Sequence, residues 1–396
     1  MSIIQVASEK GEVIWAAIQS AVDVPNFPTT SGTMLVTESP TFGREPVMAT
    51  NSEITDSYAE RPGEICGHKA GTLKLAVNFK VSGTKGTLSP IHPLLLALYG
   101  RHTVVPNTSV SYMHYRRNPE DAFVYLTVLV KKQTETVLMT NVRVKKMDID
   151  ITSDKLLPAS FDCLYEKEFH AGKSTLKTAI DGTVTPVTVI PLNGLEDYQL
   201  FEVGSYIYVG TDDNGGAGFE VSAVSKANNE LTIEDGVTTV QDVGVKIAGF
   251  TPVVTSSGYN LQAGKSWKTG NTGELGVRKI FYTNLKFGVE NGVKALENIC
   301  SDEGVIGFAE GGRKVTLTTT RYYSLLGEGA RYLLENEVSI PIDAQVGTEA
   351  GKILEIVIPS WKINKQSESG KEDKSIAIDG QCFESSGDDE STLVLK

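Results

Sequence analysis

At 396 residues the chain is too long for one ordinary hydrophobic core, so more than one domain is expected. Forty per cent hydrophobic and 22% charged residues exclude a wholly disordered chain, and 49 acidic against 37 basic residues argue against a sequence-independent grip on nucleic acid. No apolar run is long enough to cross a bilayer, no secretion signal is evident, and Cys66, Cys163, Cys300 and Cys382 are too dispersed for a disulfide framework or zinc knuckles; they read as reduced, mostly buried residues made in a cytosol.

The first 29 residues form an arm. In it "GEVIWAAIQSAV" is compatible with a short amphipathic helix, followed by an extended stretch through Pro25 and Pro28. Residues 50–66, "TNSEITDSYAERPGEIC", lead into "AGTLKLAVNFKV", where Leu73, Leu75, Val77 and Phe79 alternate with Thr72, Lys74, Ala76 and Asn78. That period of two predicts a half-buried strand. "SPIHPLLLALYG" predicts a short apolar helix, started by Pro90 or Pro93 and ended by Gly100. "AFVYLTVLVKK" is extended, and in "MDIDIT" Asp148 and Asp150 occupy the polar side of a strand whose other side carries Met147, Ile149 and Ile151. "DKLLPASFDC" closes this first unit.

Residues 176–250 differ in character. Short strands separated by Gly, Asn and Asp turns predict a small antiparallel barrel or sandwich, inserted where a parent fold has a loop, with "DDNGGAG" at 212–218 as a hairpin tip.

Beyond it the first pattern returns. Residues 283–300, "TNLKFGVENGVKALENIC", begin and end with the same residue pairs as 50–66. The alternating "GGRKVTLTTTRYY", the leucine-rich "SLLGEGARYLLENE", the extended "KILEIVIPSWKIN" and the closing "DKSIAIDGQC" follow in the earlier order. All four cysteines fall in paired positions. We therefore expect a duplication, with units at 30–175 and 251–396 flanking the insertion at 176–250.

Catalytic and ligand-binding patterns are weak. "FHAGKST" and "QAGKSWKTG" lack the glycine a phosphate loop needs five positions earlier, where Lys167 and Tyr259 stand, and read as polar edges or loops. No HExxH or GxSxG occurs; His92, beside the leucine run, reads as a core or helix-end residue. The "DDNGGAG" oxygens are an ordinary turn before they are a cation site. The chain is expected to act without catalysis, cofactor or metal.

The stretch "EPVMATNSEITDSYAERPGEICGHKAGTLKLAVNF" with "HPLLLALYG", the later "TNVRVKKMDIDITSDKLLPASFDCLYEKE" and the closing "GQCFESSGDDESTLVLK" resemble the tail tube (major tail) proteins of long-tailed bacteriophages. The likeness covers both units but not 176–250. It implies a mainly β fold with short helices, in which two related modules contribute strands to a barrel completed between subunits. It further implies three chains per pseudo-hexameric ring, with rings stacked into a tube through which genomic DNA passes transiently. Tape-measure, terminator and baseplate proteins would be the partners. The location would be the virion tail, after assembly in the bacterial cytoplasm, with no membrane insertion. Asp148 and Asp150 are the candidates for an acidic inner wall that does not hold DNA. The alternatives are a tube or decoration protein of another phage-derived assembly, and a β-rich carbohydrate-active enzyme.

Overall fold

Alternating polar and apolar residues set the architecture, because each such strand must bury one face against a second layer. The computed structural model describes residues 12–27, 33–35, 37–49, 64–114, 124–152, 156–252, 259–261, 267–270, 282–297, 304–322, 333–369 and 375–396. Among these residues the fold is mainly β, built from antiparallel sheets, none of which closes into a barrel.

The backbone of the molecule is one large sheet. Gly71–Asn78 pairs with Pro158–Tyr165, which pairs with the long strand Thr136–Thr152. The last part of that strand, 146–152, pairs with Tyr282–Glu290, and the sheet continues through Lys314–Tyr322 and Ser375–Phe383 to a second long strand, Leu354–Ser369. Strict alternation decides the faces. Leu73, Leu75, Val77, Phe161, Cys163, Met147, Ile149, Leu285, Phe287, Val315, Leu317 and Ile378 all lie on the buried side.

Each long strand is shared between two ladders. The first part of Thr136–Thr152 lies between Leu126–Lys131 and Lys167–Ala171, and the first part of Leu354–Ser369 lies between Ser339–Val346 and Thr392–Leu395. Register slips by one residue after Val144 in the first strand and after Ile363 in the second. Such bulges bend a strand from one ladder into the next. In the first strand the bend also uses Asn141, buried and left-handed at φ 54°. Its side-chain N–H groups donate to Asp23 and Glu166, and its backbone N–H donates to Gln19.

The helix His92–Tyr99 packs into the main core with every side chain buried except Leu96. Pro93 sits in its first turn, where its missing N–H has no partner to lose, and Gly100 ends it at φ 79°. The segment 11–22 is a correction: Val13–Ile18 is not a helix but a strand of the sheet, paired with Leu126–Lys131 on one side and Thr33–Leu35 on the other. Ile14 and Ala16 face the main core while Trp15 joins Leu129 and Leu138 on the opposite side, so both faces are apolar and covered. Of the leucine-rich 324–337, only 333–337 lies within the described residues, with helical turn at 333–335.

Residues 173–249 build a six-stranded antiparallel sheet in the order 173–175, 246–249, 206–209, 219–225, 230–237, 187–191, around its own core of Ile190, Ile207, Phe219, Leu231 and Ile247. The barrel alternative is not met. Its two edge strands touch through a single bridge, Leu176 to Leu192, and the ladder stays open. "DDNGGAG" is the expected hairpin connection. This sheet rests on the main one through Phe27, whose ring meets Tyr206 and Phe250 edge-on at 5.2 and 5.1 Å, beside Trp15, Leu129 and Leu138.

Candidate functional site

The polar face of the large sheet gathers the only sequence-proposed site residues, Asp148 and Asp150, at half-buried positions as alternation requires. Strand register then supplies what the sequence did not. Lys74 stands opposite Asp162, Asp162 opposite Lys146, Lys146 opposite Glu290, and Glu290 opposite Lys314. Directly opposed residues share a face, so five neighbouring strands carry one row of alternating charge. A second row runs from Asp150 through Lys286 and Thr318 to Asp379 and Lys365. Between them lie Ser160, Asp148, Gly288, Thr316 and Gln381.

The two carboxylates do not stand alone on this face. Lys146 Nζ lies 2.6 Å from Asp148, and Lys286 Nζ 4.0 Å from Asp150. The hydrogen bond to Asp148, with Asp162 and Glu290 nearby, raises the pKa of the Lys146 ammonium above its ordinary value. A shallow groove of about 560 Å³ opens between the rows, bordered by Glu38, Asp148, Asp150, Ser160 and Lys286. Gly288 forms its floor: a Cβ there would sit 2.8 Å from Asp148 Oδ1 and 2.9 Å from Thr316 Oγ1.

The edges of this sheet matter as much as its face. Thr41–Gly43 pairs with 72–74 at one end, and Thr37 N–H donates to Ala76 O just beyond. At the other end, residues 363–369 pair with 375–380 on one side; among the described residues no strand lies on the other.

Other groups considered from sequence have structural partners. His92 is buried at the helix start, hydrogen-bonded through Nδ1 to Tyr112 OH at 2.9 Å; burial, aided by His102, lowers its pKa to about 4. His114 Nε2 bonds Ser391 Oγ at 3.0 Å, and burial also holds its pKa well below the usual value. Asp212 accepts from Thr238 N–H and Thr239 OH, and Asp213 from Gly216 N–H, so this turn is engaged in holding itself. Residues 169–175 span the end of Lys167–Ala171 and the strand Lys173–Thr175, with Gly172 between them; 262–266 lie outside the described residues, and Trp267–Gly270 is strand. Cys163 and Cys382 are free and buried, and burial pushes both thiols up; nothing is described of the side chains of Cys66 and Cys300. Among the described residues no group of His, Cys, Asp and Glu is arranged to hold a metal, and no helix is long and apolar enough to cross a membrane. Neither a protein-family model nor a curated protein sequence matches the chain.

Proposed function

We propose that the chain is a structural subunit of a bacteriophage tail tube, a non-catalytic building block whose halves are two related modules. One observation carries the reading: the same set of strand pairings occurs twice, in the same chain order. Thr41–Gly43 with Gly71–Asn78, then Pro158–Tyr165, then Thr136–Thr152, is matched by Tyr282–Glu290 with Lys314–Tyr322, then Ser375–Phe383, then Leu354–Ser369. Cys163 stands opposite Leu73 and Val144, and Cys382 opposite Val315 and Trp361. A short hairpin interrupts each set at the same point, Pro46–Ala49 with Glu64–His68 and Val293–Glu297 with Val305–Glu310.

Among the described residues such a sheet ends on backbone groups without a ladder partner, which neighbouring copies satisfy by continuing it; closure after three copies gives a pseudo-sixfold ring, and stacked rings give a tube. The charge-paired face lines the bore. Gripping DNA requires cations free to replace its counterions, and here lysines are matched by carboxylates on adjoining strands, so a polyanion passes without being held. The inserted sheet, with a core of its own, decorates the outside.

Electron microscopy of the purified protein tests this: rings of three chains with pseudo-sixfold symmetry, stacked into tubes, are expected. A chain that stays monomeric as its concentration is raised sinks the proposal. In tubes carrying Asp148→Lys with Asp150→Lys, DNA retention should rise; unchanged retention removes this face from the bore.

A further inference from the structure

Resting on the tube reading, we infer that the seam between copies is formed by residues 363–369 of one chain and 37–42 of the next, with Lys365 opposite Thr41; Lys362 lies outside it, being already opposite Ser339 of its own chain. The chain contains its own template. Its two sets of strands meet at an internal seam, where Asp148 faces Gly288 and Lys146 faces Glu290.

Register transfers this seam to the outer edges. Val289 stands opposite Val315 as Phe42 stands opposite Leu73, so Gly288 and Glu290 occupy the places of Thr41 and Gly43. Asp148 faces Ser160, three positions before Cys163, and Lys365 faces Asp379, three positions before Cys382. Lys146 faces Asp162 and Lys362 faces Gln381, each one position before its cysteine. Lys365 and Lys362 therefore take the places of Asp148 and Lys146.

Sidedness agrees. On the flank of the first long strand away from 158–165, Leu126–Lys131 is followed by Tyr282–Glu290. On the matching flank of the second, Ser339–Val346 is followed by no strand among the described residues. The occupant of that gap is the counterpart of 282–290, which is 37–42 of a second copy. The two seams differ: Lys365 meets a threonine where the internal seam has glycine, and Lys362, at the place of Lys146, is opposite Ser339 of its own chain.

Cross-strand cysteines test the register, since directly opposed residues bring Cβ atoms to within about 4.5–5.5 Å. Thr41→Cys with Lys365→Cys is to be oxidised in assembled tubes and run on denaturing gels. We expect the monomer band to be lost to covalent trimers from this double variant, and no such loss from the single variants. Tubes that form but do not link this pair, or that link Thr41→Cys to Asn364→Cys instead, overturn this seam while leaving the tube reading standing. Wild-type protein that forms neither rings nor tubes removes both.

Discussion

The two long strands follow one plan and end differently. Thr136–Thr152 finishes against 284–290, burying Met147, Ile149 and Ile151 beside Leu285, Phe287 and Val289. Leu354–Ser369 finishes in Asn364, Lys365, Gln366, Ser367 and Glu368, all at least partly exposed. The first end resembles the middle of a sheet and the second an edge, although both belong to equivalent positions of the pairing scheme. Burial at the first end is supplied by the second half of the same chain. Polar and charged side chains are what keep an edge strand from pairing indiscriminately.

The largest expected effect lies where the halves are locked together. Arg143, one residue before the bulge of the first strand, pairs with Glu310 of the Val305–Glu310 hairpin and donates to Val124 O at 2.7 Å. Both side chains are almost wholly buried. Removing one partner leaves a charge in low dielectric, so Arg143→Ala should lose about 3–5 kcal/mol of stability by denaturant unfolding. Register places Ser360 at the equivalent point of the second strand, where Ser360→Ala should lose under about 0.5 kcal/mol. Equal losses would break the comparison.

Acid should reach the halves unequally. His92, buried and neutral, has a pKa of about 4 in the folded chain against the ordinary 6.5. The stability linked to that depression is complete above about pH 6.5 and is lost as pH falls toward 4, on the order of 3 kcal/mol in all. His92 bonds Tyr112 of Ser109–His114, the hairpin partner of Gly100–Val105, and His114, also depressed, joins that hairpin to Ser391. Hydrogen exchange between pH 7 and 4 should therefore show Gly100–Val105 and Ser109–His114 loosening before Lys314–Tyr322. Uniform loosening would mean that the histidines do not set the acid limit.

Much of this organisation was legible in the residues. Period-two stretches such as 71–78 and 158–165 announced their strands because one face is core and the other polar. Proline in the first turn and Gly100 after the last bounded the helix. Asp148 and Asp150 were placed on the polar side by Met147, Ile149 and Ile151. Val13–Ile18 was not legible, because a strand covered on both faces shows no alternation and its main partner lies more than 100 residues away. Nor was the charge row, since Lys74, Asp162, Lys146, Glu290 and Lys314 come from five separate strands and only register makes them neighbours. An isolated Asp-x-Asp looked acidic; its sheet is charge-balanced.

Gly288 sharpens the comparison at the level of single atoms. The seam within the chain has glycine where Thr41 stands at the outer edge. Gly288→Ala brings a methyl against the tips of Asp148 and Thr316, both of which can rotate aside, so the loss should be about 1 kcal/mol. The displaced Asp148 should also weaken its contact with Lys146, lowering the lysine pKa in an NMR titration. A loss of several kcal/mol would show that the groove floor is rigid and that close approach of the strands itself requires glycine.

The smallest effect concerns the charges. Asp150 and Lys286 are 4.0 Å apart with side chains 43% and 62% exposed, so water and salt screen them. A double-mutant cycle of Asp150→Ala and Lys286→Ala should give a coupling of no more than about 0.5 kcal/mol, falling as salt is added. Coupling above about 1 kcal/mol would assign the charge rows a share in holding the seam. The small value follows if the ladder and the buried row of Met147, Ile149 and Ile151 join the strands. The exposed rows are then free to vary without loosening the sheet.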